Sequence, residues 1–145
     1  MLKLSLIIPA YNEEQRIGKT LQNYIYHLQK YLPKEFEIIV VLNGCHDRSL
    51  EIVEDFTRKH KAIRYVDIPQ AIGKGGAVLH GFSLAKGKII GFLDADDAFD
   101  LMTVQVMVDS LLQGQVDCFI ASKWKGIRFS AVNEPFIRKV LSRGW

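Results

Sequence analysis

Three carboxylates, Asp94, Asp96 and Asp97, fall within four positions directly after the apolar run of Ile89, Ile90, Phe92 and Leu93. That run has no polar alternation, the pattern of a strand buried on both faces. Unpaired carboxylates at the mouth of an apolar interior are costly, so three together need water, cations or backbone donors around them. A divalent cation held by hard oxygen ligands answers that need, and a bound phosphate supplies further oxygens. Asp94-Ala95-Asp96 is therefore a candidate Mg²⁺ or Mn²⁺ phosphate site. The tripeptide also suits an acidic turn that caps the next helix.

A second group is Gly73-Lys74-Gly75-Gly76. At a helix start it presents free backbone N–H groups, the positive helix end and one cation, which suits a phosphate or a ribose. It is not a P-loop, because Gly-x-x-x-x-Gly-Lys-Ser/Thr is absent, and a dinucleotide fingerprint would follow the first strand. The alternative is a flexible loop with a solvated lysine. Asn43 and Glu13 have the donors and acceptors to bind a base or sugar edge, and Tyr11 has a ring to stack on one. Taken singly, these three also read as a turn residue, a helix N-terminal acid and a core aromatic. His46 reads as a surface turn residue, and His27, His60 and His80 have no partners at ligand spacing. Met102 and Met107 read as core filler, and Trp124 as a packing residue, with lining of the site as the alternative.

Alternating strands and helices must position these groups. Leu4 to Ile8 is a strand stopped by Pro9. After the loop Ala10, Tyr11, Asn12, the acids Glu13 and Glu14 open a helix that keeps an apolar period to Leu32, and Pro33 closes it. Phe36 to Leu42 is a second buried strand, Asn43-Gly44 a turn and Asp47 an N-cap for a helix carrying Leu50, Ile52, Val53 and Phe56. Ile63 to Ile68 is a third strand, and Ala77, Leu79, His80 and Leu84 carry a third helix. After the fourth strand come a helix at Leu101 to Leu112, a fifth strand at Val116 to Ala121 and a last helix at Glu134 to Leu141. The alternation predicts an α/β fold, a mostly parallel sheet with helices on both faces. Right-handed crossovers then bring Ala10 to Glu13, Asn43 to Asp47, Gln70 to Gly76 and Asp94 to Asp97 to one sheet edge, where such sheets bind ligands.

Composition bounds the rest. The 145 residues make one domain, 48% hydrophobic and 24% charged, with a net charge of only +3. The basic residues are scattered, which argues against nucleic acid as a partner. Cys45 and Cys118 form neither a disulfide framework nor a zinc pattern, which favours a reducing, cytoplasmic compartment. No signal-peptide core or membrane span is present in the sequence. Pro135 to Arg143 mixes apolar and basic positions, the pattern of a core-packing helix with a solvated basic face or of a helix at the membrane surface.

Pro9-Ala10-Tyr11-Asn12-Glu13, Asn43-Gly44 with Asp47, Gly73-Lys74-Gly75 with Ala77, and Phe92-Leu93-Asp94-Ala95-Asp96 occur together in one order and spacing. In this the chain resembles family 2 glycosyltransferases, most of all the branch of dolichyl-phosphate mannose and glucose synthases, from Leu4 to about Ser122. The resemblance implies a GT-A fold, a nucleoside-diphosphate-sugar donor, Mg²⁺ or Mn²⁺, and inversion at the anomeric carbon. It implies donor binding by Pro9, Ala10, Tyr11, Glu13, Asn43, Lys74, Asp94, Ala95 and Asp96, with Asp96 and Asp94 as metal ligands. Asn43 stands where the family more often has an Asp, and Leu42 replaces the Asp before it; Ser122-Lys123 stands in place of a frequent Ser-Arg. Asp97 replaces a common Leu or Gly, adding charge beside the metal ligands. Family members continue past Trp145, so residues 1–122 are expected to be the donor-binding portion and 123–145 the start of an acceptor region, with the catalytic base beyond Trp145. Donor binding by this chain alone is then expected to survive, and transfer to be weak or absent. The implied acceptor is a lipid phosphate or a saccharide, reached at the cytoplasmic membrane face. Two rivals stay open: a haloacid-dehalogenase-type phosphatase, which wants its Asp-x-Asp on the first strand, and a non-catalytic module that binds nucleotide-sugar or a protein partner.

Overall fold

The computed structural model describes residues 1–96 and 100–120. Four strands and four helices alternate: β1 (Leu4–Ala10), α1 (Ile17–Tyr31), β2 (Phe36–Asn43), α2 (Ser49–Lys59), β3 (Ile63–Ile68), α3 (Gly73–Leu84), β4 (Ile89–Phe92) and α4 (Leu101–Leu112). The chain divides into two compact units, Met1–Leu101 and Met102–Trp145. All four strands belong to the first.

The strands are parallel in the order β3-β2-β1-β4. β1 to β3 step one way across the sheet, and β4 returns to the far side of β1. With right-handed crossovers, that reversal puts α1 and α2 on one face and α3 on the other. α3 lies over Ile7, Ile39 and Val41, with Ala77 in the same buried cluster. A Cβ added at Gly81 would run into the Ile7 side chain, so glycine is what lets helix and sheet approach there. On the opposite face Leu6, Ile8, Ile38, Val40 and Leu42 are at most 2% exposed. α1 is buried along Ile17, Leu21, Tyr24, Ile25 and Leu28, the stripe its sequence period predicts.

Pro9 does not stop β1. It pairs with Val41 and the strand runs on to Ala10. Ile7 accepts the Leu93 N–H on the β4 side, and Pro9, two residues on, faces that same side. The β4 ladder has ended by then at Ile7↔Phe92, so the missing N–H of Pro9 interrupts nothing.

At the opposite edge of the sheet a buried polar cluster ties the α3–β4 turn to the strands. Ser5 Oγ donates to Glu37 Oε1 at 2.6 Å, Arg64 Nε to Glu37 Oε2 at 2.8 Å, and the Lys86 N–H to Glu37 Oε1 at 2.8 Å. The Gly87 N–H donates to Ser5 Oγ at 2.7 Å.

Two further expectations need correction. Val116 to Ile120 forms no strand, because an extended segment becomes one only by pairing and none of the described residues pairs with it. The third helix begins at Gly73 rather than near Ala77, so the glycine-rich segment is its first turn. The remainder of the fifth strand at Ala121, the helix at Glu134 to Leu141, and Asp97, Ser122, Lys123 and Trp124 lie outside the described residues. In the second unit, Val104 and Val108 are the buried positions of α4.

Candidate functional site

The four unusual loops meet at the C-terminal edge of the sheet, beside the strand-order reversal between β1 and β4. The first loop turns at Asn12, whose φ of 53° lies in the left-handed region that asparagine tolerates. Asn12 Oδ1 accepts the His46 N–H at 2.8 Å, fastening this loop to the one after β2. The Glu13 N–H goes to Ser49 Oγ at 2.8 Å and the Glu14 N–H to Asp47 Oδ2 at 2.9 Å. These lateral bonds draw both acids out of the helix they were expected to open. Residues 13–16 form a separate turn, and α1 begins at Ile17 with no acid in its first turn.

Asp47 is not the residue that directly precedes α2, which is Arg48. Its carboxylate still serves the helix start, because Oδ1 accepts the Ser49 N–H at 2.9 Å. Burial pushes the Asp47 pKa up, but the Ser49 hydroxyl and the backbone donors of Glu14 and Ser49 outweigh it, and the net direction is down. The Glu13 carboxylate is taken by Arg16, Nε at 2.7 Å and Nη2 at 2.8 Å, a two-point clamp.

Asn43 ends β2 and is 5% exposed. Its Oδ1 accepts the Ile72 N–H at 2.7 Å, joining the end of β2 to the start of α3. Gly44 has φ +70°, and a Cβ there would sit 2.8 Å from the Ala71 nitrogen, so the two loops touch only because this residue is glycine. From the first turn of α3, Lys74 Nζ reaches Asp94 Oδ1 at 2.5 Å and lies 6.0 Å from the Phe92 ring centre. Ala95 is buried, and its carbonyl accepts the Thr20 hydroxyl at 2.7 Å. That bond holds the Asp94–Asp96 turn against α1.

Pro9, Ala10, Tyr11, Glu13, Asn43, Lys74, Asp94, Ala95 and Asp96 all line one cavity of about 440 Å³, together with Arg16, Ala71 and Gly73. The sequence reading missed Arg16. Its signal was the i,i+3 spacing from Glu13, which it clamps. A neighbouring cavity of about 510 Å³ shares Glu13 and Arg16 and is otherwise lined by Asn12, Glu14, Gln15, His46 and Asp47.

Among the described residues no three His, Cys, Asp or Glu side chains group to hold a metal. Asp94 and Asp96 offer two carboxylates, one already paired with Lys74. Such a donor set does not make a closed protein cage. It fits a hard divalent cation whose remaining ligands are phosphate oxygens and water.

Residues 5–139 match Glycosyl transferase family 2. The chain is 30% identical over 145 residues to Glycosyltransferase AglD of Haloferax volcanii, covering 99% of this chain and 23% of that protein. It is 31% identical to Dolichyl-phosphate beta-glucosyltransferase ALG5D of Trichomonas vaginalis, covering 97% of this chain and 46% of that one. It thus spans between about a quarter and about half of these relatives' lengths. Among solved structures, the mannosyltransferase PcManGT from Pyrobaculum calidifontis in complex with GDP-Man and Mn2+ superimposes with a TM-score of 0.69 at 29% identity, over 79% of this chain and 33% of that one. S. aureus TarS 1-349 has the same fold, with a TM-score of 0.68 at 24% identity over 88% of this chain and 38% of that one. The fold is the GT-A arrangement that the sequence resemblance implied.

Proposed function

The chain belongs to glycosyl transferase family 2, and we propose that it forms the donor-binding part of an enzyme that moves a sugar from a nucleoside diphosphate to a polyprenyl or dolichyl phosphate. The observation that carries this reading is the convergence of residues from four separate loops on one cavity. The cavity combines an α3 N-terminus, the Lys74 ammonium and two carboxylates at the sheet edge. Relatives named as dolichyl-phosphate beta-glucosyltransferases support a lipid-phosphate acceptor. A neighbour solved with GDP-Man and Mn2+ supports a nucleotide-sugar donor and a divalent cation.

Each residue has work to do in this reading. Pro9, Ala10 and Tyr11 wall the nucleoside, and Glu13, held by Arg16, takes a ribose or base edge. Lys74 and the unpaired N–H groups of the first α3 turn attract the diphosphate. Asp94 and Asp96 would hold the cation, with Ala95 fixing their turn; that cation supplies charge neutralisation on the departing nucleoside diphosphate. Before Asp94 takes up that role its oxygen must part from Lys74, whose ammonium is then available to phosphate. A lipid phosphate is already anionic and attacks the anomeric carbon from the face opposite the leaving group, with inversion and without a strong base. A sugar hydroxyl would need a carboxylate to remove its proton. No helix among the described residues is long and apolar enough to cross a membrane. A polyprenyl or dolichyl phosphate is held in a membrane, so the acceptor would be met at the membrane face.

Calorimetric titration with UDP-glucose and GDP-mannose, in Mn²⁺ and in chelator, tests the reading. Binding of one donor that requires Mn²⁺ and is lost in Asp96→Ala is the expected result. Absence of binding to both donors, with the protein folded, would overturn it.

A further inference from the structure

Thr20 puts a hydroxyl on the buried stripe of α1, among Ile17, Leu21, Tyr24 and Ile25, and is 0% exposed. Valine has nearly the same shape and would fill the place without a polar atom to satisfy. The hydroxyl lies 3.1 Å from the Arg16 carbonyl oxygen and 2.7 Å from that of Ala95. It has one proton to give. The Arg16 oxygen already accepts the Thr20 backbone N–H at 3.1 Å, so the shorter bond, to Ala95, is the contact the side chain adds.

Ala95 sits between the two carboxylates of the cavity. Its carbonyl belongs to the same planar peptide unit as the Asp96 N–H, so fixing the oxygen also fixes the direction in which the chain enters Asp96. On the other side of Asp94, the Leu93 N–H donates to the Ile7 oxygen at 3.0 Å, where the β1–β4 ladder ends. Asp94 is thus flanked by an anchor to β1 and an anchor to α1, the second made across 75 positions of chain. The bond between Lys74 and Asp94 is of another kind. Its side chains are partly exposed, and it has to open before Asp94 can turn to a cation. The Thr20 bond is buried and takes no part in that exchange.

We infer that Thr20 is a positioning residue for the cation: its hydroxyl, acting through the Ala95 carbonyl, holds the turn in the geometry that presents Asp94 and Asp96 together. This inference rests on the donor-binding reading above, in which those carboxylates hold a divalent cation, and adds a residue that does not itself line the cavity. Two carboxylates share one small cation only when their oxygens are held to within about 0.5 Å of the required places. Without the hydroxyl the buried Ala95 oxygen loses a donor, and its peptide turns toward another donor or toward water. The carboxylates on either side turn with it.

The test is Mn²⁺ titration of the full chain, alone and with UDP or GDP, followed by electron paramagnetic resonance in the wild type, Thr20→Val and Thr20→Ser. Valine keeps the shape and removes the donor; serine keeps the donor and removes the methyl group. Mn²⁺ binding should weaken by about tenfold in Thr20→Val and stay within about threefold of the wild type in Thr20→Ser. The spectrum of the bound ion should change in Thr20→Val, as a carboxylate oxygen gives way to water, and match the wild type in Thr20→Ser. Equal weakening in the two variants would assign the effect to packing and overturn the inference, and so would unchanged Mn²⁺ binding in Thr20→Val. Should Thr20→Val not fold, Thr20→Ala against Thr20→Ser isolates the same hydroxyl at a smaller side chain, and equal affinities there overturn the inference. Failure of the folded wild type to bind Mn²⁺ under any of these conditions removes the cation from the donor-binding reading itself, and this inference with it, a result distinct from the others.

Discussion

Lys74 and Asp94 hold each other at 2.5 Å across the mouth of the cavity, with side chains 59% and 36% exposed. Exposed pairs of this kind are worth little, so the bond is easily exchanged when stronger partners arrive. A diphosphate offers Lys74 several oxygens, and a divalent cation offers Asp94 twice the charge. Removing the ammonium should therefore separate two effects that binding of the whole donor combines. In Lys74→Met, Mn²⁺ binding without nucleotide should strengthen by about threefold, as Asp94 loses its counter-ion. Affinity for the nucleoside diphosphate should fall by about tenfold, as a charge-assisted bond is lost. Manganese titration followed by electron paramagnetic resonance reads the first and calorimetry the second. Weaker Mn²⁺ binding in the variant would show that Lys74 does not compete with the cation. Lys74, Asp94 and Asp96 were readable from residue type and spacing. The Arg16 clamp on Glu13 had only its i,i+3 spacing as a signal, and the commitment of Asn43 Oδ1 had none, because it depends on where a neighbouring loop puts a backbone N–H.

At the scale of the elements, the end of the sheet remote from the site is secured by Glu37. It lies on β2, bonded to Ser5 of β1, Arg64 of β3 and the backbone of Lys86 in the turn before β4. Burial pushes its pKa up, but the bonds from Arg64, Ser5 and Lys86 together hold it below the ordinary 4.5. A carboxyl that is more acidic folded than unfolded contributes stability that is complete above its unfolded value. That contribution is lost as pH falls through the folded value. Thermal midpoints should accordingly be flat with respect to this group above about pH 5.5 and decline below about pH 4.5. In Glu37→Gln the decline should be shallower, because the titrating group is gone. Glu37→Ala, which leaves Ser5 and Arg64 without their partner, should cost about 2 kcal/mol in urea unfolding at neutral pH. An unchanged acid limb in Glu37→Gln would exclude Glu37 as its source.

Across the first unit, protection is graded from the centre of the sheet outward. β2 is buried at every position from Phe36 to Asn43, whereas β4 alternates and leaves Ile90 and Phe92 each 42% exposed. Hydrogen exchange should follow that gradient. The amides of Ile38 to Val41 should open only with global unfolding, and those of Ile89 to Phe92 should exchange at least about tenfold faster. Equal protection in the two strands would mean that the sheet opens as a single unit. The same topology sets the site, because the reversal in strand order is what leaves a crevice beyond β1 and β4 for a ligand to enter.

The alternation of Leu4–Ile8, Phe36–Leu42, Ile63–Ile68 and Ile89–Leu93 with amphipathic helices was enough to determine a parallel α/β sheet. Burial and short connections leave such a pattern few other ways to fold. The gathering of four loops at one edge followed from the handedness of the crossovers, and so did the membership of Pro9, Tyr11, Asn43, Lys74 and Asp94 in one cavity. Sequence overreached at Val116 to Ile120, where an apolar stretch resembles a strand until pairing partners are required of it. It also stopped β1 too early, since Pro9 breaks a strand only where a neighbour awaits its N–H. The bond that commits the Asn43 amide oxygen and the bond between Lys74 and Asp94 were decided by tertiary structure alone, each set by a partner 20 to 29 positions away in the chain. Local sequence fixes which groups a residue carries, and only the closed fold determines which of them are already used.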